Sequence, residues 1–260
     1  MRVLALLFCT LTFSAALAQG TSFFDPFKTI DGTRWQISDG WVNGGWHGCR
    51  WSKNNLRLVD GGLELSITNT PLGDRAFTCG ELMSRPVYSY GTFEVRMKPA
   101  ARNPGIVSAF FTYTGQAHGN PHNEIDFEFI GTRPRNVDVA IHTGKGPDGR
   151  DVVLDFDPRA GMNDYAYHWT PDRITWYANG KLIREIKREE GKAFPSLPGK
   201  LYISLWSGND GLNNWLGKFS YPDTPLVASY AYIAYTKLGE DCQFPESIVC
   251  KLGKDALNGK

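Results

Sequence analysis

Three carboxylates stand at every second position of the stretch PHNEIDFEFIG: Glu124, Asp126 and Glu128. Successive side chains of a strand point to opposite faces, so these acids share one face while Ile125, Phe127 and Phe129 share the other. One face is packed and the other is charged. Like charges a few ångströms apart raise one another's pKa values, and no base inside the motif EIDFE relieves them, which makes chemistry the natural use of the cluster. The Cα atoms of Glu124 and Glu128 are about 13 Å apart on a flat strand. Two glutamate side chains reaching roughly 4 Å toward each other leave about 5–6 Å between carboxyl groups. A pair that cleaves a glycosidic bond with retention stands about 5–5.5 Å apart, whereas an inverting pair needs about 6.5–9.5 Å. Asp126 is one methylene shorter and stops short of a bound sugar. Its expected part is to share a proton or hydrogen bond with Glu124 and, through its negative field, to keep Glu128 protonated as a general acid must be.

Such a strand needs neighbours, and short alternating segments recur along the chain: LRLVDGGLELSIT, YGTFEVRMKP, IVSAFFTY, NVDVAIHT, RITWYANGKLIREI, KLYISLWS and ASYAYIAYTK. Separated by turn residues, they predict an all-β antiparallel sandwich. Asn179-Gly180, between two alternating runs, predicts a two-residue type I′ hairpin, and Asp60-Gly61-Gly62 a similar reversal. The charge-dense stretch from Ile183 to Ala193 is the one helical candidate, but the hairpin before it and Gly191 within it favour a strand running into a loop. No Pro-, Ser- or Gly-rich linker and no fixed repeat divides the 260 residues, a length that one sandwich can fill.

With 28 Lys and Arg against 27 Asp and Glu, the formal charge is +1, which offers no basic field for nucleic acid and no pull toward an anionic membrane. The N-terminus MRVLALLFCTLTFSAALAQG joins Arg2 to a short apolar run and the small-x-small step Ala16-Leu17-Ala18, the pattern of a secretory signal peptide over residues 1–18. The run is shorter than the roughly 20 residues a membrane span needs, and Ser and Thr interrupt it. An extracellular or periplasmic location without membrane attachment after cleavage is expected, as a monomer. Cleavage removes Cys9 and leaves Cys49, Cys79, Cys242 and Cys250, an even count in an oxidising compartment. Of the three possible pairings, Cys49 with Cys79 and Cys242 with Cys250 is the local one, and the absence of a CxxC argues against zinc held by thiols. Residues 239–260 read as a polar, stapled tail outside the core, leaving 19–238 for the catalytic domain.

The motif EIDFEFIG resembles the pattern E-[IL]-D-x-E, hydrophobic, Gly of glycoside hydrolase family 16. GIVSAFFTYTGQAHG, DGWVNGGWHGCRW and SLWSGNDGLNNWLG are similar to the corresponding blocks of bacterial β-1,3-1,4-glucanases, so the likeness runs from Phe24 to Lys237. The tail GEDCQFPESIVCKL is similar to the ending of the secreted rhizobial endoglycanases that trim succinoglycan. The resemblance implies a jelly roll of two curved antiparallel sheets, with the acidic strand on a concave face. It implies Glu124 as nucleophile, Glu128 as acid and base, Asp126 as assistant, and a β-1,3/β-1,4-linked polysaccharide as substrate. A non-cleaving carbohydrate-binding sandwich and a transglycosylase using the same acids are the alternatives.

By position in the matching blocks, Trp41, Asn43, Phe111, Tyr113, Trp206 and Trp215 would line sugar subsites, and Glu81 would bond a sugar hydroxyl. The chain departs from the lichen-glucan enzymes at several contacts: Met83 replaces an arginine, His122 a tryptophan, Ala140 an asparagine, His142 a tyrosine and Ser204 another asparagine. His122 and His142 remain candidate substrate contacts. No cofactor is expected to be required. The family's structural calcium ion would lose its aspartate, which aligns with Ala231, and keeps only backbone oxygens and water as ligands. Gly119 and Pro121 argue against a helical histidine pair at His118 and His122, and a metal on Glu124 would block the nucleophile, so no metal is expected to take part.

Overall fold

Alternating apolar and polar residues fold into strands that make up 49 % of the chain, and the computed structural model, which describes residues 19–257, is an all-β jelly roll. The expected signal peptide, residues 1–18, lies outside the described residues. One sheet runs, in spatial order, Gly146–Val153, Asn136–Thr143, Asn123–Ile130, Ile106–Thr114, Lys200–Ser207 and Thr78–Ser84, each neighbouring pair antiparallel. The other runs Lys181–Lys187, Arg173–Ala178, Asn163–Trp169, Gly91–Lys98, Leu226–Lys237 and Gly62–Thr68. The two layers are joined at one corner, because Thr78–Ser84 pairs with Lys200–Ser207 along part of its length and with Gly62–Thr68 at its start. Arg50–Trp51 lies parallel to Thr78 and Cys79, and Gln19 forms a parallel bridge with Val87, exceptions in a largely antiparallel fold.

Between the layers, Ile125, Phe127 and Phe129 are buried, and the Phe127 ring lies 5.6 Å from Tyr165 and 6.4 Å from both Phe110 and Tyr167. Each such side chain contributes about 1.5–3 kcal/mol by leaving water, which anchors the strand that carries the acids. From the opposite sheet the Trp176 indole N–H donates to the Asp126 carbonyl at 3.0 Å, fixing the middle of that strand. Arg184 ties the edges of the sheets together by donating to the carbonyl of Val139 and to the Asp148 carboxylate.

The Asn179-Gly180 turn has φ of 49° and 78°, as a type I′ hairpin requires, and it joins Arg173–Ala178 to Lys181–Lys187. The stretch after Ile183 continues as strand to Lys187 and then becomes a loop. Both disulfides form, Cys49 with Cys79 and Cys242 with Cys250. The residues after Gly239 lie across the outer face of the second sheet. Phe244 packs 4.5 Å from the Phe24 ring and 4.9 Å from Tyr232, while Ile248 and Val249 cover Ala166 and Tyr177. Ala231 sits beside Phe244 at a bulge in Leu226–Lys237. Among the described residues no helix is long and apolar enough to cross a membrane.

Candidate active site

Strand register places the acids in rows across the first sheet. Glu124 lies between His142 and Tyr113; Asp126 lies between Ala140 and Phe111, followed by Tyr202 and Met83; Glu128 lies between Asp138 and Ala109, followed by Ser204 and Glu81. Opposed residues of an antiparallel pair share a face, so these rows form one surface. From the acidic strand to Glu81, that surface is the floor of a cleft of about 550 Å³ whose lining includes Glu124, Asp126 and Glu128 together with Trp41, Asn43, Glu81, Phe111, Tyr113, His122 and Trp206. His142 stands beside it next to Asp126, and Trp215 stands outside the lining, its ring 6.3 Å from Trp206.

The three acids occupy unequal surroundings. The Glu124 side chain is 20 % exposed, and its Oε2 accepts from His122 Nε2 at 2.6 Å. Asp126 is 3 % exposed; burial, then the charges of Glu124 and Asp138, hold its carboxyl well above the usual range. Its Oδ2 lies 3.2 Å from His142 Nε2, but the angle is not that of a hydrogen bond and this buried oxygen has no hydrogen-bond partner. Glu128 keeps a small accessible surface at the cleft floor yet is enclosed by protein on its other sides. Burial first, then the negative charges of Asp126, Glu124 and Asp138, raise its carboxyl well above the ordinary carboxylate value. A carboxyl raised by its surroundings beside a more exposed glutamate is the division needed for acid and nucleophile.

The walls are aromatic. Phe111 and Tyr202 stack with centroids 4.8 Å apart and planes within 9°. Trp206 meets Trp46 edge-on at 5.1 Å. The Trp51 indole N–H donates to Asn43 Oδ1 at 2.8 Å, orienting the Asn43 amide so that its nitrogen can serve the cleft. Beneath these rings His47 is fully buried, and burial followed by the charge of Arg75 lowers its pKa to about 3, so it packs as a neutral ring 4.4 Å from Trp51. On the floor, Glu81 accepts from Ser38 Oγ at 2.5 Å, and burial pushes its carboxyl up to about 7.

The loop that carries Trp41, Asn43 and Trp46 has no strand of its own to hold it. The Cys49–Cys79 bridge ties it to the strand of Glu81, and Gly48 presses against Gly208, where a Cβ would lie 2.3 Å from the Gly208 oxygen. Sequence reasoning did not single out Trp46, Trp51, Tyr202 or His47. Tyr202 alternates with Ser204 and Trp206, so the period of two in KLYISLWS was the available signal. His47 carries no comparable mark.

The chain matches the Glycosyl hydrolases family 16 profile over residues 43–222. It is 42 % identical over 234 residues to the endo-1,3-1,4-beta-glycanase ExoK of Rhizobium meliloti, spanning 89 % of this chain and 84 % of that one. It is 40 % identical over 227 residues to a beta-glucanase of Bacillus subtilis, spanning 87 % and 90 %. Among solved structures, a Bacillus licheniformis beta-glucanase superposes with a TM-score of 0.77 at 40 % identity, covering 84 % of this chain and 99 % of that chain.

Proposed function

Because the chain belongs to glycosyl hydrolase family 16 and is a glycoside hydrolase, we propose that it is a secreted, monomeric, retaining endo-β-glycanase that cuts β-1,3/β-1,4-linked polysaccharide and needs no metal. The observation that carries this reading is the trio Glu124, Asp126 and Glu128 on the floor of an aromatic cleft, with burial and the neighbouring acids raising the Glu128 carboxyl. Glu128 donates that proton to the glycosidic oxygen as the bond to the anomeric carbon breaks, and Glu124 forms a bond to that carbon from the opposite face. Glu128, now a carboxylate, then takes a proton from water as the water oxygen displaces Glu124. The sugar leaves with its original anomeric configuration, and both acids return to their starting states. Once ionised, Asp126 places negative charge between them and delays the ionisation of Glu128.

Phe111, Tyr202 and the Trp206–Trp46 pair offer flat apolar surfaces to sugar rings, with Glu81 and Asn43 supplying polar contacts. Met83 and Ala140 present no hydrogen-bonding group to the cleft, which supports a polymer other than plain lichen glucan, such as a succinoglycan-type exopolysaccharide. Residues 1–18 supply the export signal. The test incubates the protein with mixed-linkage β-glucan and with succinoglycan, follows chain length, and reads the anomer of new reducing ends by NMR. Shortening of at least one polymer with a retained β-anomer, abolished in Glu124→Gln, is expected. No shortening of either polymer would identify a binding module, and an inverted anomer would exclude the covalent route.

A further inference from the structure

We propose that Glu124, Asp126 and His142 also form a binding site for a divalent transition-metal ion of the zinc class, whose occupancy switches hydrolysis off. One ligand atom from each residue lies within 4.8 Å of the others. Glu124 and His142 are opposed across paired strands, and Asp126 is two positions along the same strand face as Glu124. The backbone therefore holds all three without any loop having to order.

A second observation points to a ligand. Asp126 Oδ2 is buried and has no hydrogen-bond partner, although an imidazole nitrogen stands 3.2 Å away. Around a tetrahedral zinc ion, with bonds of about 2.0–2.2 Å, neighbouring ligand atoms stand about 3.4 Å apart, close to the 3.2 Å between Asp126 Oδ2 and His142 Nε2. The His122 N–H, on a ring stacked 5.7 Å from His142, holds the Glu124 carboxylate by a hydrogen bond, as partners of a metal ligand do.

One imidazole and two carboxylates suit zinc or copper, whereas calcium takes six to eight oxygens and magnesium a near-octahedral oxygen shell. A dication would also relieve the repulsion between two carboxylates in a poorly solvated place. The other convergent group, His47 with Cys49 and Cys79, offers no such site because both sulfurs are in a disulfide. With an ion on Glu124, the lone pair required by the anomeric carbon is engaged, so a bound metal inhibits. That consequence rests on the nucleophile assignment above; the binding itself does not.

The experiment strips the mature chain with a chelator and dialyses it against zinc chloride. Bound zinc is counted by atomic emission, and hydrolysis of mixed-linkage β-glucan is followed in parallel. Stoichiometric uptake at micromolar zinc is expected, with activity falling at the same midpoint, returning on addition of EDTA, and unaffected by magnesium or calcium. His142→Ala and the isosteric Glu124→Gln should each weaken uptake at least about tenfold. His118→Ala, whose ring bonds Tyr202 on another part of the cleft, should leave uptake unchanged. Absence of stoichiometric uptake, or undiminished uptake in both site variants, would overturn the metal site. Site-dependent uptake with hydrolysis unaffected by zinc would overturn the switch. Site-dependent uptake by a chain that cleaves neither polymer would support the metal site and refute the proposed function alone.

Discussion

Glu94 lies on the outer face of the second sheet, 3 % exposed beneath the tail, where it accepts from Ser247 Oγ at 2.5 Å and from the Ile248 N–H at 2.8 Å. Burial outweighs those hydrogen bonds and pushes its carboxyl up from 4.5 to about 7. The folded chain therefore binds this proton more tightly than the unfolded chain does. The resulting stabilisation is fully present below about pH 4.5 and is lost as pH rises through about 7. At about 1.4 kcal/mol per pH unit, that interval corresponds to about 3 kcal/mol. Glu94→Gln has no proton to lose, keeps an acceptor for Ile248 N–H and can donate to Ser247. At pH 8 it should be more stable than the parent by about 3 kcal/mol, or about 6–12 °C in Tm for a chain of this size, and the two should be equal at pH 4.5. Urea denaturation of both proteins at the two pH values measures this directly. Glu81, also raised to about 7, is common to both proteins and cancels in the difference. A stability difference that is the same at both pH values would refute the assignment of a buried, titrating carboxyl beneath the tail.

Three further outcomes are expected at the cleft. Burial is the first cause of the raised Glu128 carboxyl and the Asp126 charge the second, so Asp126→Asn should lower it and move the alkaline limb of kcat/KM to lower pH; an unmoved limb contradicts the coupling. His122→Ala removes a hydrogen bond to a charged acceptor and should reduce kcat about tenfold or more, with partial recovery in His122→Gln, whose amide can donate to the same oxygen. Opening the Cys49–Cys79 bridge, which closes a sequence separation of 30, should lower stability by about 3–4 kcal/mol and raise KM as the Trp41 loop loosens; unchanged melting with thiols shown free would exclude a structural role.

The strands that could be read from sequence are those with one packed face. Gly62–Thr68 and Ile106–Thr114 show the period of two because one side meets the core. Gly146–Val153 was illegible for the opposite reason: GPDGRDVV is exposed along nearly all its length, begins Gly-Pro, and exists as a strand only because Asn136–Thr143 offers it a free edge. Asn163–Trp169 and Thr78–Ser84 stand outside the alternating runs because both faces are largely buried, one beneath the tail and the other beneath the cleft walls, so their polar residues do not mark a solvent side. A pattern rule reads contrast, and burial on both sides removes it.

The same limit divides the active site. Glu124, Asp126 and Glu128 were legible because their relation is contained in one strand, where a period of two suffices. The neighbours that set their behaviour arrive by strand order, which no local spacing encodes. His142 reaches Asp126, and Asp138 stands opposite Glu128, because Asn136–Thr143 lies on one side of the acidic strand; Phe111 and Tyr113 arrive from Ile106–Thr114 on the other. Asp138 adds negative charge beside Glu128, while Arg133, at 3.4 Å from Asp138, withdraws part of it. The Glu128 carboxyl is thus raised by burial first, and then by two acids from its own strand and one from the next. A chain with the same EIDFE motif but a different neighbour at position 138 would keep the catalytic geometry and ionise its acid at a different pH.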